Sequence, residues 1–316
     1  MNISPRAATA GLVVLAALTT AMVGLALRSN DATPPSSTSA PFNTTATSAG
    51  PSSTPSRTPS PTPSTTAPST AITPSAAPLQ TILVAINDKQ AWRINVGSCA
   101  KGGAKVATTT DGGATWAQAK TALNTIVRVR PTDGHTAFVI GADTTCAAEL
   151  KNTSDAGATW SSGGAVGSAW FRDPQNPLVV RAPGPATSQP CGKREVLDLA
   201  VISTGSARVL CADGQVRSTT DTGASWTSAG KVSSAVALAV SAAAPGRTYV
   251  AVLDAPGCAG VQVRPVDKSA PTSCVSTAVP KTPGQIALSL VAGSGWLSVG
   301  DRTMRSTDKL ATWSTS

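Results

Sequence analysis

Short segments of alternating hydrophobic and polar residues recur from residue 79 onward. Three of them are Ile126–Arg130, Val236–Val240 and Ile286–Leu290. Further apolar segments open on an aromatic residue, at Trp92, Phe138, Tyr249 and Trp296. Side chains alternate across a strand with a period of two, and no part of this region keeps the 3.6-residue period of a helix. The pattern predicts an all-β fold of many short strands.

A longer repeat is superimposed on this alternation. An eight-residue pattern at 109–116, 153–160, 219–226 and 306–313 places an aspartate third and a tryptophan last. These residues are Asp111, Asp155, Asp221 and Asp308, with Trp116, Trp160, Trp226 and Trp313. A degraded copy at 264–268 lacks the glycine and the tryptophan, and the five aspartate positions are 44, 66, 46 and 41 residues apart. Spacing in the low forties is typical of four-stranded propeller blades.

The pattern Ser/Thr-x-Asp-x-Gly-x-Thr/Ser-Trp resembles the Asp-box, or bacterial neuraminidase repeat, of sialidase-like β-propellers. The resemblance covers the region 79–316. It implies a β-propeller in which each box forms the turn between the third and fourth strands of a blade, away from the central site. An aspartate can accept hydrogen bonds from backbone N–H groups in such a turn, and glycine adopts a positive φ. The box aspartates and tryptophans are therefore expected to be structural.

The number of blades is open at this point. Five box positions favour five blades, but the interval of 66 residues between Asp155 and Asp221 exceeds one blade. Within it, 170–174 and 178–181 resemble the first two strands of a blade that has no box. The sequence predicts five or six blades.

The chain before residue 79 divides into two segments. Ala7–Leu27 has no charged residue and as a helix would span about 32 Å, the thickness of a bilayer core. We expect residues 1–28 to be a signal anchor, with a cleaved signal peptide as the alternative. Residues 29–78 are rich in Ser, Thr and Pro and predict a disordered stalk. Region 79–316 is then expected outside the cytoplasm, tethered to the membrane or secreted.

Six cysteines in an exported domain favour three disulfides. Cys258 and Cys274 flank the degraded box, where a bridge could replace the missing tryptophan. The other expected pairs are Cys191–Cys211, 20 residues apart, and Cys99–Cys146, one repeat apart at neighbouring turns. No metal site or cofactor is expected, since the chain has one histidine and no C-x-x-C spacing.

Charge suggests where a ligand binds. The chain carries a formal net charge of +9, which favours anionic partners. Alternation would place Ile126, Arg128 and Arg130 on one face of a strand near the propeller axis, and Arg172 on the equivalent strand of the next unit. Guanidinium groups pair with carboxylate or phosphate through two hydrogen bonds. These three arginines are the candidate binding residues, for an anionic glycan, a cell-wall polymer or a protein partner; nucleic acid is not expected.

The sequence is compatible with two classes of function, a hydrolase and a binding module. Sialidases use an arginine triad, a tyrosine polarised by a glutamate and an acid/base aspartate. This chain has one tyrosine, Tyr249, at a packing position of the repeat, and two glutamates, Glu149 and Glu195. It is also similar to boxed propellers of the photosystem II assembly-factor type, which bind proteins. The sequence therefore favours a non-catalytic binding module at the cell surface, with a sialidase-like or other glycoside hydrolase as the alternative.

Overall fold

The computed structural model describes residues 77–242, 246–267 and 272–316. The segment expected to be an anchor, 1–28, and nearly all of the expected stalk, 29–78, lie outside these ranges. Across the residues that are described, no helix combines the length and the apolar character needed to cross a membrane.

The described strands form six antiparallel sheets in sequence order, here called blades 1 to 6. Blade 1 contains β1 (Thr81–Ala85), β2 (Ala91–Asn95), β3 (Lys105–Thr109) and β4 (Ala117–Ala119); blade 2 contains β5 (Thr125–Pro131), β6 (Ala137–Ala142), β7 (Ala148–Thr153) and β8 (Ser161–Ser162). Blade 3 contains β9 (Phe171–Arg172), β10 (Val180–Arg181) and β11 (Thr187–Ser188); blade 4 contains β12 (Val196–Val201), β13 (Ala207–Cys211), β14 (Gln215–Thr219) and β15 (Thr227–Lys231). Blade 5 contains β16 (Ala235–Val240), β17 (Thr248–Val252), β18 (Gly260–Pro265) and β19 (Ser273–Ser276); blade 6 contains β20 (Ile286–Val291), β21 (Ser294–Val299), β22 (Arg302–Ser306) and β23 (Ser314–Thr315).

The fold is thus an all-β six-bladed propeller, which resolves the choice between five and six blades. The additional unit is blade 3, whose three strands have two residues each. Its first two strands lie within the segments 170–174 and 178–181. Blade 3 has three strands, and after β11 the chain passes directly to the next blade. It therefore has no turn between a third and a fourth strand where a box could lie.

The hydrophobic core is divided among the seams between consecutive blades. Buried side chains form six clusters, and each cluster joins two neighbouring blades. In the cluster between blades 1 and 2, Trp92, Ile94, Ile126 and Val139 are fully buried. A sheet that packs on both faces buries the side chains that point to either face. Each blade is therefore stabilised by two seams, one on each side.

The ring closes where blade 6 meets blade 1. The backbone N–H groups of Gln80 and Thr81 donate to the Gly284 carbonyl, at 2.8 and 3.2 Å. Farther along, the Ala85 N–H donates to the Ser289 hydroxyl at 3.0 Å. Each blade is built from one continuous stretch of chain, so closure depends on packing and these bonds rather than on a shared sheet.

Tryptophan indoles connect neighbouring blades in both directions. Three of them reach forward to a turn carbonyl of the next blade: Trp92 to Asp133, Trp170 to Thr204 and Trp296 to Asn87, at 2.8 to 3.2 Å. Three box tryptophans reach back to the preceding blade: Trp160 to the Lys120 carbonyl, and Trp226 and Trp313 to the hydroxyls of Ser188 and Ser273. The fourth, Trp116, has a buried indole N–H with no acceptor among the described residues.

The four box turns share one hydrogen-bond pattern and lie between the third and fourth strands of blades 1, 2, 4 and 6. In the second, the Asp155 carboxylate accepts the Thr153 hydroxyl and both the N–H and the hydroxyl of Thr159, at 2.6 to 2.9 Å. Gly157 has a φ of +90°. The fourth box has Leu310 there, at +72°, and its side chain packs on the cluster between blades 5 and 6.

Two of the three expected disulfides are present. Cys191–Cys211 spans 20 residues and Cys258–Cys274 spans 16, each with a Cα–Cα distance of 5.5 Å. The third expected pair is not bridged: Cys99 and Cys146 are free thiols. Burial, and secondly the neighbouring Cys146 thiol, raises the pKa of Cys99 to about 11, and the Cys99 thiol faces the Pro174 carbonyl of blade 3, 3.9 Å away.

Candidate functional site

A cavity of about 790 Å³ follows the first strands of the blades along the propeller axis. We call it the funnel. One end of the propeller, the box face, carries the turns of Asp111, Asp155, Asp221 and Asp308; the other, the entry face, is where the chain enters at Leu79. The funnel wall extends to the exposed turn 202–204 on the box face. The funnel is therefore open towards the box face.

The entry face closes the funnel with a polar floor. The buried Arg172 guanidinium donates to the carbonyls of Leu197 and Leu79, at 3.1 and 3.3 Å. The Asp198 carboxylate accepts the N–H groups of Leu199 and Leu238, both at 2.7 Å. Burial lowers the pKa of Arg172 and raises that of Asp198, and each charge offsets part of the other's penalty.

Two β-bulges set the geometry of the funnel, one in β12 at the floor and one in β5 beside Arg128. Register shifts occur in β5 between Ile126 and Arg128 and in β12 between Val196 and Asp198. The bulge in β12 leaves the Leu197 carbonyl outside the ladder, where it accepts from Arg172 and from the Leu79 N–H. The bulge in β5 corrects the expectation that Ile126 shares a face with the two arginines. Ile126 is buried between blades 1 and 2, because an extra residue changes the side to which a side chain points.

Arg128 and Arg130 do share a face, as their cross-strand partners Ile140 and Phe138 both belong to the seam between blades 2 and 3. Arg128 donates through Nη1 to the Trp170 carbonyl at 2.6 Å and lies 5.8 Å from the centre of the Phe138 ring. Its Nε is buried and has no acceptor among the described residues. Burial, and secondly the charge of Arg130, lowers the pKa of Arg128 to about 10.

The structure thus brings all three predicted arginines to the funnel but gives them different surroundings. Arg172 is 8% exposed and bonded to two carbonyls, whereas Arg130 is exposed and Arg128 is half-buried. Among the described residues that line the funnel, Asp198 is the single carboxylate, and its charge offsets part of the cost of burying Arg172. Arg128 and Arg130 therefore form an uncompensated positive site on the wall formed by blade 2.

The remaining wall is mainly aliphatic. Half-buried side chains from four blades line it: Ile82, Val84, Leu199, Val201, Val240 and Leu290. Ile202, at the mouth, is 45% exposed. Serine and threonine contribute at the rim, at Ser203 and Thr204. A cationic wall therefore faces an apolar one.

A smaller cavity of about 410 Å³ lies at the seam between blades 2 and 3, with Cys146 and Phe171 in its lining. Its charged groups are already paired, since Arg181 binds Asp173 through two nitrogens, at 2.8 and 2.7 Å. The Gln175 side chain likewise donates to the Cys146 carbonyl, at 2.8 Å. This cavity offers a ligand fewer free polar groups than the funnel does.

Other predicted residues lie away from the funnel. Tyr249 packs against the cluster between blades 5 and 6, and Glu149 pairs with Lys151 at 2.7 Å. The part of the chain that is described contains no group of three or more His, Cys, Asp or Glu side chains that could hold a metal ion.

The sequence reasoning missed Leu79 and Asp198. Asp198 is the only charge in the apolar strand Val196–Val201, and an acid within a buried strand is a recognisable signal of a paired charge. Leu79 has no such signal, because its role depends on where the chain crosses the axis.

No protein-family model matches the sequence, and no curated protein matches it. Solved structures that resemble it include YCF48 bound to a D1 peptide, with 16% identity, a TM-score of 0.28, and coverage of 76% of this chain and 82% of that chain. An Aleuria aurantia lectin variant in complex with Fucα1-6GlcNAc has 12% identity, a TM-score of 0.46, and coverage of 75% and 94%. A GH74 xyloglucanase from Xanthomonas campestris has 17% identity and a TM-score of 0.29, and the match covers 74% of this chain but 37% of the enzyme. These similarities extend to the propeller fold and no further.

Proposed function

We propose that this protein is a non-catalytic binding module of the cell surface, and that the funnel binds an anionic group of its ligand at Arg128 and Arg130. The observation that carries the proposal is the guanidinium group of Arg128 on the funnel wall, half-buried and with no carboxylate of the described lining paired with it. A second guanidinium lies beside it, and the charge of the only carboxylate in the described funnel lining offsets part of the cost of burying Arg172.

The physical argument concerns the cost of a buried cation. A partly desolvated guanidinium with a free N–H and a like charge nearby is unfavourable unless an anion pairs with it. A carboxylate or phosphate placed here would accept hydrogen bonds from Arg128 and Arg130 and relieve their repulsion. Charge-assisted bonds of this kind are stronger than neutral ones. The site therefore favours a ligand that carries a carboxylate or a phosphate, a requirement that an anionic glycan, a cell-wall polymer and an acidic protein segment all meet.

The point of chain entry and the funnel mouth lie on opposite faces of the propeller. The chain enters the propeller at Leu79, on the entry face, and the funnel opens on the opposite, box face. Membrane tethering through 1–28 is part of this proposal, with secretion as its alternative.

The four turns also support assignment to the Asp-box class. Each has the same side-chain bonds from Ser or Thr to the aspartate, as seen for Thr109 and Asp111 at 2.8 Å and for Ser306 and Asp308 at 2.8 Å. Shared geometry at four separate sites is consistent with one repeated unit.

The alternative is a sialidase-like or other glycoside hydrolase. Most glycosidases need two carboxyl groups beside the substrate, whereas the described funnel lining offers Asp198 alone, which accepts two backbone N–H groups. Tyr249 is not part of that lining. The geometry therefore favours binding without turnover.

The test is a binding screen of the full-length chain against acidic polysaccharides, teichoic-acid-type polymers and acidic peptides, beside a fluorogenic sialoside assay. Loss of one charge-assisted hydrogen-bond partner costs about 1.5–3 kcal/mol, so we expect Arg130→Gln to weaken binding about tenfold or more. Arg247→Gln, an exposed arginine outside the funnel, is the matched control.

Two results would overturn the proposal. One is unchanged binding of every anion by the Arg128→Gln/Arg130→Gln variant. The other is sialoside turnover that is lost in Tyr249→Phe.

A further inference from the structure

We infer that the preferred ligand of the funnel is an amphiphile, with one anionic head group at Arg128 and Arg130 and one aliphatic chain against the opposite wall. This inference rests on the proposed function and adds the chemical class of the ligand. Its basis is the contrast between the two walls of a single cavity.

The first step is the position of the charges. Both free guanidinium groups belong to β5, on the face towards blade 3. Arg172 lies in the floor, where two carbonyls and Asp198 surround it. A ligand therefore meets uncompensated positive charge along one side of the funnel.

The second step is the chemistry of the opposite side. Blades 4, 5, 6 and 1 contribute Leu199, Val201, Val240, Leu290, Ile82 and Val84, all of them half-buried. Hydrated sugars need many hydrogen-bond partners, and the six side chains named here offer only carbon, with the Ser289 hydroxyl as a polar group beside them. Apolar surface covered by a ligand contributes roughly 25 cal/mol per Å², so an aliphatic chain gains where a hydroxylated chain does not.

The third step is the closed end. Arg172 donates to the carbonyls of Leu79 and Leu197 across the floor, the Leu79 N–H donates to the same Leu197 carbonyl, and Asp198 accepts two backbone N–H groups beside them. The funnel is thus a blind cavity of about 790 Å³. A blind cavity with one charged wall and aliphatic side chains on the opposite side favours a compact chain with one head group over a polymer that must pass through.

The experiment measures affinity along a series of alkanoates from butanoate to dodecanoate, kept below their micelle concentrations. The full-length chain is immobilised and washed free of detergent. Each buried methylene contributes about 0.8 kcal/mol, or roughly a fourfold change in affinity. We expect the dissociation constant to fall by about that factor per methylene until the chain fills the funnel.

Two sets of variants separate the head group from the chain. Arg130→Gln should weaken every alkanoate about tenfold without changing the increment per methylene. Val240→Thr and Val84→Thr keep side-chain shape but replace one methyl group by a hydroxyl, and should reduce the increment while leaving butanoate unchanged. Arg247→Gln, outside the funnel, should match the wild type, and near-ultraviolet circular dichroism checks that each variant is folded.

The outcomes are distinguishable from those of the proposed function. Affinity that does not depend on chain length, together with arginine-dependent binding of a hydrophilic polyanion, would overturn the amphiphile and leave the binding module intact. Failure of all anions to bind would overturn both. If the gain in affinity per methylene is unchanged in the valine variants, the aliphatic chain of the ligand binds elsewhere. That result would also overturn the inference.

Discussion

The seam between blades 1 and 2 and the seam between blades 2 and 3 solve the same packing problem differently. In the first, Trp92 reaches forward to the Asp133 carbonyl and Trp160 reaches back to the Lys120 carbonyl, at 3.2 and 3.1 Å. In the second, Phe138 takes the position of Trp92 and has no N–H, and blade 3 has no box tryptophan. Arg128 bonds to the Trp170 carbonyl instead.

The difference explains where the candidate site lies. An indole has one N–H, which the regular seam uses fully. A guanidinium has five, so after one of them binds Trp170 others remain for the funnel. The repeat is stabilising where it is regular, and the positive site is built where it is interrupted.

The largest expected effect compares the aromatic residues of the two seams. Trp92 is fully buried, so Trp92→Ala should lower the free energy of unfolding by about 3–5 kcal/mol. Phe138 is half-buried at the edge of the funnel, and Phe138→Ala should cost less than half as much. Denaturant unfolding measures both; equal losses would show that the interrupted seam is packed as tightly as the regular one.

The next effect concerns the floor beside blade 3. Arg172→Met leaves Asp198 buried without its cation and should cost about 3 kcal/mol or more. In an Asp198→Asn background the same substitution should cost distinctly less, because no charge is then left uncompensated. A double-mutant cycle in denaturant measures this coupling; additive losses would argue against a paired floor.

A smaller effect separates two box tryptophans. Trp313 donates to the Ser273 hydroxyl at 2.9 Å, so Trp313→Phe should cost about 1 kcal/mol for the lost bond in addition to its packing change. The Trp116 N–H has no acceptor among the described residues, and Trp116→Phe should cost only the packing change. Equal losses in thermal or chemical unfolding would contradict this assignment of donors.

The last effect is a change in how the free energy of unfolding depends on pH, rather than a constant loss of stability. Bonds from the hydroxyl and N–H of Thr159, and from the Thr153 hydroxyl, lower the pKa of Asp155 from 3.8 to about 2. A depressed pKa contributes stability that is complete above about pH 4 and is lost as the pH falls towards 2. Asp155→Asn should therefore flatten the pH dependence of the free energy of unfolding between about pH 4 and pH 2. An Asp155→Asn variant that keeps the wild-type slope would contradict the role of the box.

Several elements were predictable because their causes are local. Alternation over five or six residues predicted strands such as β5 and β20, and the spacing of the four box patterns predicted propeller blades. The pair Cys258–Cys274 was predictable for a similar reason, since its partners flank a single turn. These three predictions depend on contacts within one blade, which a repeat displays in sequence.

The sequence by itself therefore determined the strands, the box turns and the two intra-blade or short-range bridges. The tertiary structure decided the sixth blade, the burial of Ile126 beside a bulge and the free thiols of Cys99 and Cys146. It also decided that Arg172 belongs to the floor while Arg128 and Arg130 line the funnel. Strand and turn formation depend on residues a few positions apart, whereas closing the ring and compensating a buried charge depend on residues that meet only when the blades assemble.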